Sequence, residues 1–171
     1  MSKQRFLSLF VLVAAVPLLL AFVMLKSGWY QAGVNNKGVW FEQEVRLLPA
    51  ITPPQAHWRL VYLQPTRCDK ACEAVEHLMQ QIDLALGRKQ DQLDLVVLTE
   101  QPVNQVTKKP QMSFIQRSFA GLTAGSLIIV DQQGLALLHY PLPDVPEQLP
   151  LSGKDVMADL QKLLKFDRGP T

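Results

Sequence analysis

The hydrophobic pattern of the chain begins with one continuous apolar run. Residues 6–25 read FLSLFVLVAAVPLLLAFVML, with no charge and with Ser8 as the only polar side chain. About 20 apolar residues, at a rise of about 1.5 Å each, cross a hydrocarbon core about 30 Å thick. Pro17 fits a membrane helix, in which the freed backbone groups can be satisfied again. The run therefore predicts a transmembrane anchor that contacts the lipid bilayer over residues 6–25.

Two other interpretations of this run compete with an anchor. A cleaved signal peptide has a shorter apolar core, about 7–15 residues, followed by a small-x-small cleavage site. This run is longer and ends in Met24-Leu25-Lys26, and no cysteine follows it as in a lipoprotein. A buried soluble helix of this length without a polar face would be unusual. The pattern favours an uncleaved anchor.

The charges beside the anchor predict its orientation. Lys3 and Arg5 precede the run, so the positive-inside rule places residues 1–5 in the cytoplasm. We expect a single-pass protein of the bacterial inner membrane with its C-terminal domain in the periplasm. Trp29 and Tyr30 follow the run, where amphipathic rings favour the membrane interface.

Residues 26–56 lack a clear periodic pattern. Turn-forming glycines and asparagines are frequent, and Pro53-Pro54 excludes a helix there. We predict a membrane-proximal linker. Its apolar Val39-Trp40-Phe41 patch is expected to pack on the following domain, with contact to lipid headgroups as the alternative.

The alternation of apolar and polar positions after this linker predicts an α/β domain. The predicted elements, in order, are a strand at 57–63, a helix from the cysteine motif to Gly87, a strand at 93–98, a short helix around 114–121, a hairpin of strands at 126–130 and 135–140, and a helix capped by Ser152. A βαβ unit followed by a hairpin and a helix is the order of a thioredoxin-like domain, with a central mixed sheet and flanking helices. We place this domain at residues 57–166 and a tail at 167–171.

Composition excludes several classes of function. The chain has 17 basic and 15 acidic residues, and three of the basic residues flank the anchor, so the exported part is close to neutral. A nucleic-acid partner is not expected, because such proteins carry a basic patch or stripe. The 48% of hydrophobic residues excludes a disordered chain. We find no motif of a hydrolase or kinase.

The chain has two cysteines, Cys68 and Cys72, in a C-x-x-x-C motif where the first strand of the domain meets its first helix. With Thr66 or Asp69 as the helix cap, Cys68 lies near the positive helix end, which favours a thiolate. Sulfurs one helical turn apart can form a disulfide if their Cα atoms lie about 4.4–6.8 Å apart. The same pair suits Cu(I). We predict a redox pair or a Cu(I) site; a structural disulfide is the alternative, although so small a loop contributes little chain entropy compared with a long one.

Three histidines could add a third ligand to this pair. His139 is the candidate metal ligand, although strand alternation puts its neighbours Leu138 and Tyr140 on the other face. His57 and His77 are expected to be surface residues.

The anchor, the C-x-x-x-C motif and the late sequence LIIVDQQG at 127–134 together resemble the Sco/SenC family. Members of that family are membrane-anchored thioredoxin-fold proteins that deliver copper to cytochrome c oxidase. The resemblance implies copper ligation by Cys68 and Cys72 together with a later histidine. The position expected for that histidine holds Thr123, so the family ligand is missing.

A group of Sco-like proteins associated with bacterial cytochrome oxidase genes is more similar still. The shared motifs are Asn36-x-Gly38, Trp58-x-Leu60-x-Tyr62, the cysteine pair and Leu86-Gly87. This resemblance implies a role in oxidase biogenesis, with cytochrome c oxidase subunits or assembly factors as partners.

Two alternative functions remain open from the sequence. A general thiol–disulfide oxidoreductase usually has C-x-x-C and a proline before its third strand, whereas Gly125 stands there in this chain. A non-catalytic assembly scaffold would use the cysteine pair only as a structural disulfide.

Overall fold

The computed structural model describes residues 3–26, 36–52, 57–68, 70–102, 111–119, 121–143 and 145–166. The chain divides into two units, Met1–Asn35 and Asn36–Thr171. In the first unit, α1 (Lys3–Lys26) is a single 24-residue helix that contains Pro17. By length and composition it is able to cross a membrane over Lys3–Met24. Trp29 and Tyr30 lie outside the described residues, as does the predicted tail at 167–171.

The second unit is built on a mixed sheet. Its described strands are β1 (Val39–Arg46), β2 (Trp58–Leu63), β3 (Leu93–Thr99), β4 (Ser113–Gln116), β5 (Ser126–Val130) and β6 (Leu135–Pro141). They lie in the order β1-β6-β5-β2-β3-β4. The strands β2, β3 and β4 are parallel, whereas β5 and β6 form the predicted antiparallel hairpin. The helices are α2 (Lys70–Leu86) and α3 (Leu149–Phe166). The predicted thioredoxin-like α/β fold is confirmed.

The predicted linker at 26–56 contains an edge strand that the sequence analysis missed. β1 pairs antiparallel with β6, with Val39 opposite His139. Phe41 and Val45 are half-buried against the core, whereas Glu42 and Glu44 are exposed. Phe41 and Val45 lie on one face of the strand, but Gln43 between them is exposed and turn-forming residues precede the strand, so the sequence shows no clear alternation. Packing of Phe41 on the domain is as expected, while Val39 and Trp40 are largely exposed.

A second correction concerns the predicted short helix around 114–121. Residues Ser113–Gln116 form β4, which pairs in parallel with β3, Val97 opposite Phe114. A short apolar stretch does not distinguish a helix from a strand by periodicity alone. Here the segment forms a strand because it pairs with the outer edge of β3, whose backbone N–H and C=O groups need hydrogen-bond partners.

The last helix begins before its predicted cap. α3 starts at Leu149, so Ser152 lies inside the helix. Pro150 occupies the first turn, where a backbone N–H has no intrahelical partner in any case. The predicted end of α2 is confirmed, because the helix stops at Leu86 and Gly87 takes a positive φ of 59°.

Both faces of the sheet are buried. On one face, the strand residues Leu60 and Tyr62 pack with α2 and α3 through Val75, Met79 and Leu160. On the other face, strand residues and residues from the flanking loops form a second buried cluster. Its strand residues include Val61, Leu63, Val96, Leu98 and Ile128, and its loop residues are Leu47, Leu48 and Phe119. Because β2 is covered on both sides, its carboxyl end and the start of α2 are fixed in place.

The Asn36–Gly38 motif is held by a buried carboxylate on α3. Asp159 is 0% exposed and accepts the backbone N–H groups of Lys37 at 2.6 Å and Gly38 at 2.9 Å. It also accepts the hydroxyl of Tyr140 at 2.8 Å. Burial by itself raises the pKa of Asp159, but these hydrogen bonds and one from Lys162 outweigh it, so that pKa lies below its ordinary value. The motif therefore fixes the start of β1 to α3.

Candidate functional site

Cys68 and Cys72 form a disulfide at the junction of β2 and α2. Their Cα atoms are 5.4 Å apart, within the range expected for a disulfide. Because α2 begins at Lys70, Cys68 lies in the loop and Cys72 lies in the first turn. Thr66 is therefore too early to cap the helix, and Asp69 lies outside the described residues.

The two sulfurs differ in their access to solvent. Cys72 is 1% exposed and belongs to the core cluster between the sheet and the helices, whereas Cys68 is exposed. Thiol–disulfide exchange requires an attacking thiolate to reach a sulfur. An external thiol can therefore reach Cys68, while Cys72 is shielded behind it.

Each sulfur accepts a hydrogen bond from a side chain of the β2 region. The amide Nε2 of Gln64 donates to Cys68 Sγ at 3.0 Å, and the hydroxyl of Tyr62 donates to Cys72 Sγ at 3.6 Å. A neutral sulfur is a weak acceptor, whereas hydrogen bonds to an ionised group are about twice as strong as neutral ones. These donors therefore favour the reduced, ionised forms of the two cysteines.

The loop that carries Cys68 is anchored by the neighbouring chain. The backbone N–H of Gln64 donates to the Leu98 carbonyl at 2.9 Å, and the side-chain amide of Gln101 donates to the Thr66 carbonyl. On the other side of β2, the N–H of Gly125 donates to the Leu63 carbonyl at 2.7 Å. The disulfide thus lies on a loop with fixed ends.

The local electrostatic field favours a thiolate at Cys68. The N-terminus of α2, which carries a partial positive charge, lies two residues beyond it. Arg67 and Lys70 beside it are exposed cations, whereas Glu73 in the first turn is an exposed anion. The helix end is the fixed part of this field, because the exposed side chains are screened by solvent.

The structure does not bring His139 to the cysteine pair. His139 lies opposite Ile128 and Val39, and its ring contacts Phe41 with the ring centroids 5.9 Å apart. Its neighbour Tyr140 lies on the face that holds Cys72. Burial lowers the pKa of His139. Within the described ranges, no group of three or more His, Cys, Asp or Glu side chains is arranged to hold a metal ion.

Thr123 stands where the resemblance expects a histidine, in the loop before β5. Its carbonyl accepts the hydroxyl of Ser126 at 2.6 Å. Gly125 in the same loop has a positive φ of 77°, and a Cβ at that position would meet no atom within 4 Å. The backbone conformation rather than crowding therefore favours glycine where many thioredoxin-like domains have proline.

The sequence analysis missed Tyr62, Gln64 and Gln101 as residues of this site. Strand alternation placed Tyr62 on the same face as Leu60, which is the face that α2 covers. That pattern indicates only that the Tyr62 side chain faces the helices; its contact with Cys72 is seen in the structure. Gln64 and Gln101 carry no such signal, because both lie just beyond a strand.

Comparison with known proteins gives a family and several solved structures. Residues 58–167 match a family described as a transmembrane-like, thioredoxin-like, C-terminal domain. No curated protein matches the sequence.

Among the similar structures is BsSco, a Sco-family cytochrome c oxidase assembly protein with a disulfide switch, at 11% identity and a TM-score of 0.47 over 77% of this chain and 98% of that one. A SCO1/SenC family lipoprotein from Bacillus anthracis str. Ames is 10% identical, with a TM-score of 0.47 over 75% of this chain and 98% of that one. Copper-bound ScoI from Bradyrhizobium japonicum is 14% identical, with a TM-score of 0.39 over 64% of this chain and 87% of that one.

Proposed function

Because the chain belongs to the family of transmembrane-like, thioredoxin-like C-terminal domains, we propose that it performs thiol–disulfide exchange at Cys68 and Cys72. The observation that carries this proposal is the asymmetry of the pair. Cys68 is exposed at the start of a helix, whereas Cys72 is 1% exposed. A purely structural disulfide needs no such asymmetry, and closing a loop this small adds less stability to the fold than closing a long one.

The exchange proceeds in two steps with the reduced protein. The thiolate of Cys68 attacks one sulfur of a substrate disulfide, which forms a mixed disulfide and releases the first substrate thiolate. The thiolate of Cys72 then attacks Cys68, releases the second substrate thiolate and closes the Cys68–Cys72 disulfide. Two electrons pass from the protein to the substrate, and an external dithiol returns the protein to its reduced form.

We place this exchange in the periplasm of a bacterium. The apolar helix α1 serves as a membrane anchor, and Lys3 and Arg5 keep its N-terminus in the cytoplasm. Disulfides form and persist in such an oxidising compartment. A pair that acts there as a reductant acts on a partner that needs its own thiols reduced.

The substrate we propose is a thiol pair of cytochrome c oxidase that must be reduced before it receives copper. This choice rests on the motifs shared with Sco-like proteins. In this chain, those motifs form β2, the disulfide and the Asn36–Gly38 contact with Asp159. The same structure therefore contains the exchange site and the elements that position it.

Cu(I) transfer is the second candidate function. Soft thiolate ligands select Cu(I), and the two cysteines, once reduced, are two thiolates on one turn of chain. The copper would be cargo, held by Cys68 and Cys72. His139 lies on β6 with its ring against Phe41, so it does not complete this ligand set.

A trapping experiment with the full chain in nanodiscs tests the exchange. In Cys72→Ser, the attack of Cys68 on a peptide disulfide yields a mixed disulfide that cannot be resolved, and mass spectrometry is expected to find it. The matched control is Cys68→Ser, in which the shielded Cys72 is expected to form little adduct. Equal adducts in both variants, or none in either, would contradict the proposal.

The oxidase partner is tested separately in cells. Deletion of the gene is expected to lower the activity of cytochrome c oxidase, and the wild-type gene but not Cys68→Ser is expected to restore it. Unchanged oxidase activity after deletion would contradict this partner and leave the exchange chemistry standing.

A further inference from the structure

We propose that Gln64 is a positioning residue whose side-chain amide stabilises the Cys68 thiolate and so makes Cys68 the attacking sulfur. This inference rests on the proposed thiol–disulfide exchange. The amide Nε2 lies 3.0 Å from Cys68 Sγ, and Gln64 is 4% exposed although its side chain is polar. Glutamine is mostly an exposed residue, so its burial beside a reactive sulfur calls for a physical account.

The burial of this amide is costly unless its donors find acceptors. In the oxidised protein, its acceptor is a disulfide sulfur, which accepts hydrogen bonds weakly. A thiolate at the same place is a much better acceptor, because the hydrogen bond is then charge-assisted. The amide is therefore better matched to the reduced protein than to the oxidised one.

The backbone of Gln64 is held independently of the disulfide. Gln64 directly follows β2, and its backbone N–H is held by the Leu98 carbonyl at 2.9 Å. This backbone hydrogen bond does not involve the Cys68–Cys72 bond. The backbone that carries the amide is thus fixed beside Cys68 before charge develops on its sulfur.

A second observation sets Cys68 apart from Cys72. The Tyr62 hydroxyl is 3.6 Å from Cys72 Sγ, a longer contact than that of Gln64 with Cys68. Only Cys68 combines a short amide contact with exposure to solvent. The Gln64 amide therefore acts on the sulfur that a substrate can reach.

The test compares the pH profile of alkylation at Cys68 in the reduced full chain, with mass spectrometry to identify the labelled cysteine. Gln64→Met keeps the length of the side chain and removes its donor. We expect the midpoint of the Cys68 profile to rise by about one pH unit, which is about a tenfold loss of thiolate below the midpoint. Gln64→Asn keeps a buried amide but withdraws it by one methylene. It is expected to raise the midpoint as well, and it serves if Gln64→Met does not fold.

Gln101→Met is the matched control. The Gln101 amide holds the same loop through the Thr66 carbonyl and has no contact with sulfur in the structure. Its Cys68 midpoint is expected to stay at the wild-type value. A rise in all three variants would assign the effect to the loop and overturn the role of Gln64, as would unchanged midpoints in both Gln64 variants.

These outcomes distinguish a failure of this inference from a failure of the proposed function. If both Gln64 variants leave the midpoint unchanged while Cys72→Ser still traps the mixed disulfide, the role of Gln64 is contradicted and the proposed exchange is not. If the wild-type protein does not exchange at all, the proposed function fails whatever the alkylation profile shows.

Discussion

The hydroxyl of Tyr62 donates a hydrogen bond to the sulfur of Cys72 inside the core, with the two atoms 3.6 Å apart. Tyr62 belongs to β2, and Cys72 belongs to the first turn of α2. This contact joins the sheet to the redox pair. It places a donor beside the sulfur that leaves as a thiolate when an external thiol attacks Cys68.

Removal of this donor is expected to slow reduction of the disulfide. Tyr62→Phe keeps the buried ring and removes the hydroxyl, so the Cys72 thiolate becomes a poorer leaving group. We expect reduction by dithiothreitol to be about three- to tenfold slower, in line with the loss of a hydrogen bond worth about 0.5–1.5 kcal/mol. Stopped-flow kinetics of the full chain measure this rate. A rate equal to that of the wild type would contradict a role of the Tyr62 hydroxyl in stabilising the Cys72 thiolate.

Replacement of the buried carboxylate of Asp159 is expected to destabilise the fold. Asp159→Asn removes the charge that accepts the N–H groups of Lys37 and Gly38. Hydrogen bonds to charged groups contribute about 1.5–3 kcal/mol, so we expect a loss of about 2–4 kcal/mol in the free energy of unfolding. Urea unfolding, monitored by tryptophan fluorescence, measures it. The matched control is Asp155→Asn one turn earlier on α3, which is expected to change the stability by less than about 0.5 kcal/mol.

The same carboxylate predicts a pH dependence. The pKa of Asp159 is lowered in the folded protein, so its contribution to stability is fully present above its unfolded pKa of about 3.9. That contribution is lost as the pH falls from there through the lower folded pKa. We expect the difference in unfolding free energy between wild type and Asp159→Asn to be constant from pH 7 to pH 5 and to shrink below about pH 4. A difference that stays constant down to pH 2.5 would contradict the lowered pKa.

The position of His139 gives a prediction for the second candidate function, Cu(I) transfer. His139→Ala is expected to keep the Cu(I) affinity of the reduced protein, because the ring lies against Phe41 rather than beside the cysteines. Cys68→Ala and Cys72→Ala are each expected to lower it by at least tenfold. Competition with a chromophoric Cu(I) chelator measures these affinities. A tenfold loss in His139→Ala would place this side chain in the copper site.

The central elements of the fold were predictable from the sequence because their signals are local. The strand at Trp58–Leu63 is rich in aromatic and aliphatic residues, α2 carries a regular apolar stripe, and Gly87 ends α2. The edge strands were not predictable in this way. Ser113–Gln116 is a strand because β3 offers it a backbone partner, and Val39–Arg46 is a strand because β6 does. Such pairings are non-local, so a short window of sequence does not contain them.

The candidate site was predictable to a similar degree. The C-x-x-x-C spacing and its place before a helix indicated that Cys68 and Cys72 lie close together, and the structure joins them in a disulfide. The donors Gln64 and Gln101 became visible only in three dimensions. Gln64 reaches a sulfur four residues ahead because the chain turns at the end of β2, and Gln101 arrives from the end of β3.

The reduction potential of the Cys68–Cys72 pair in the full chain tests the central claim most directly. Equilibration with glutathione or dithiothreitol redox buffers, followed by alkylation and mass spectrometry, measures it. In this account Cys68 is accessible, and hydrogen-bond donors beside both sulfurs stabilise the reduced, ionised cysteines. We therefore expect a reduction potential in the range of thiol–disulfide oxidoreductases, about −120 to −270 mV. A value below about −300 mV is typical of structural disulfides and would contradict a redox function for this pair.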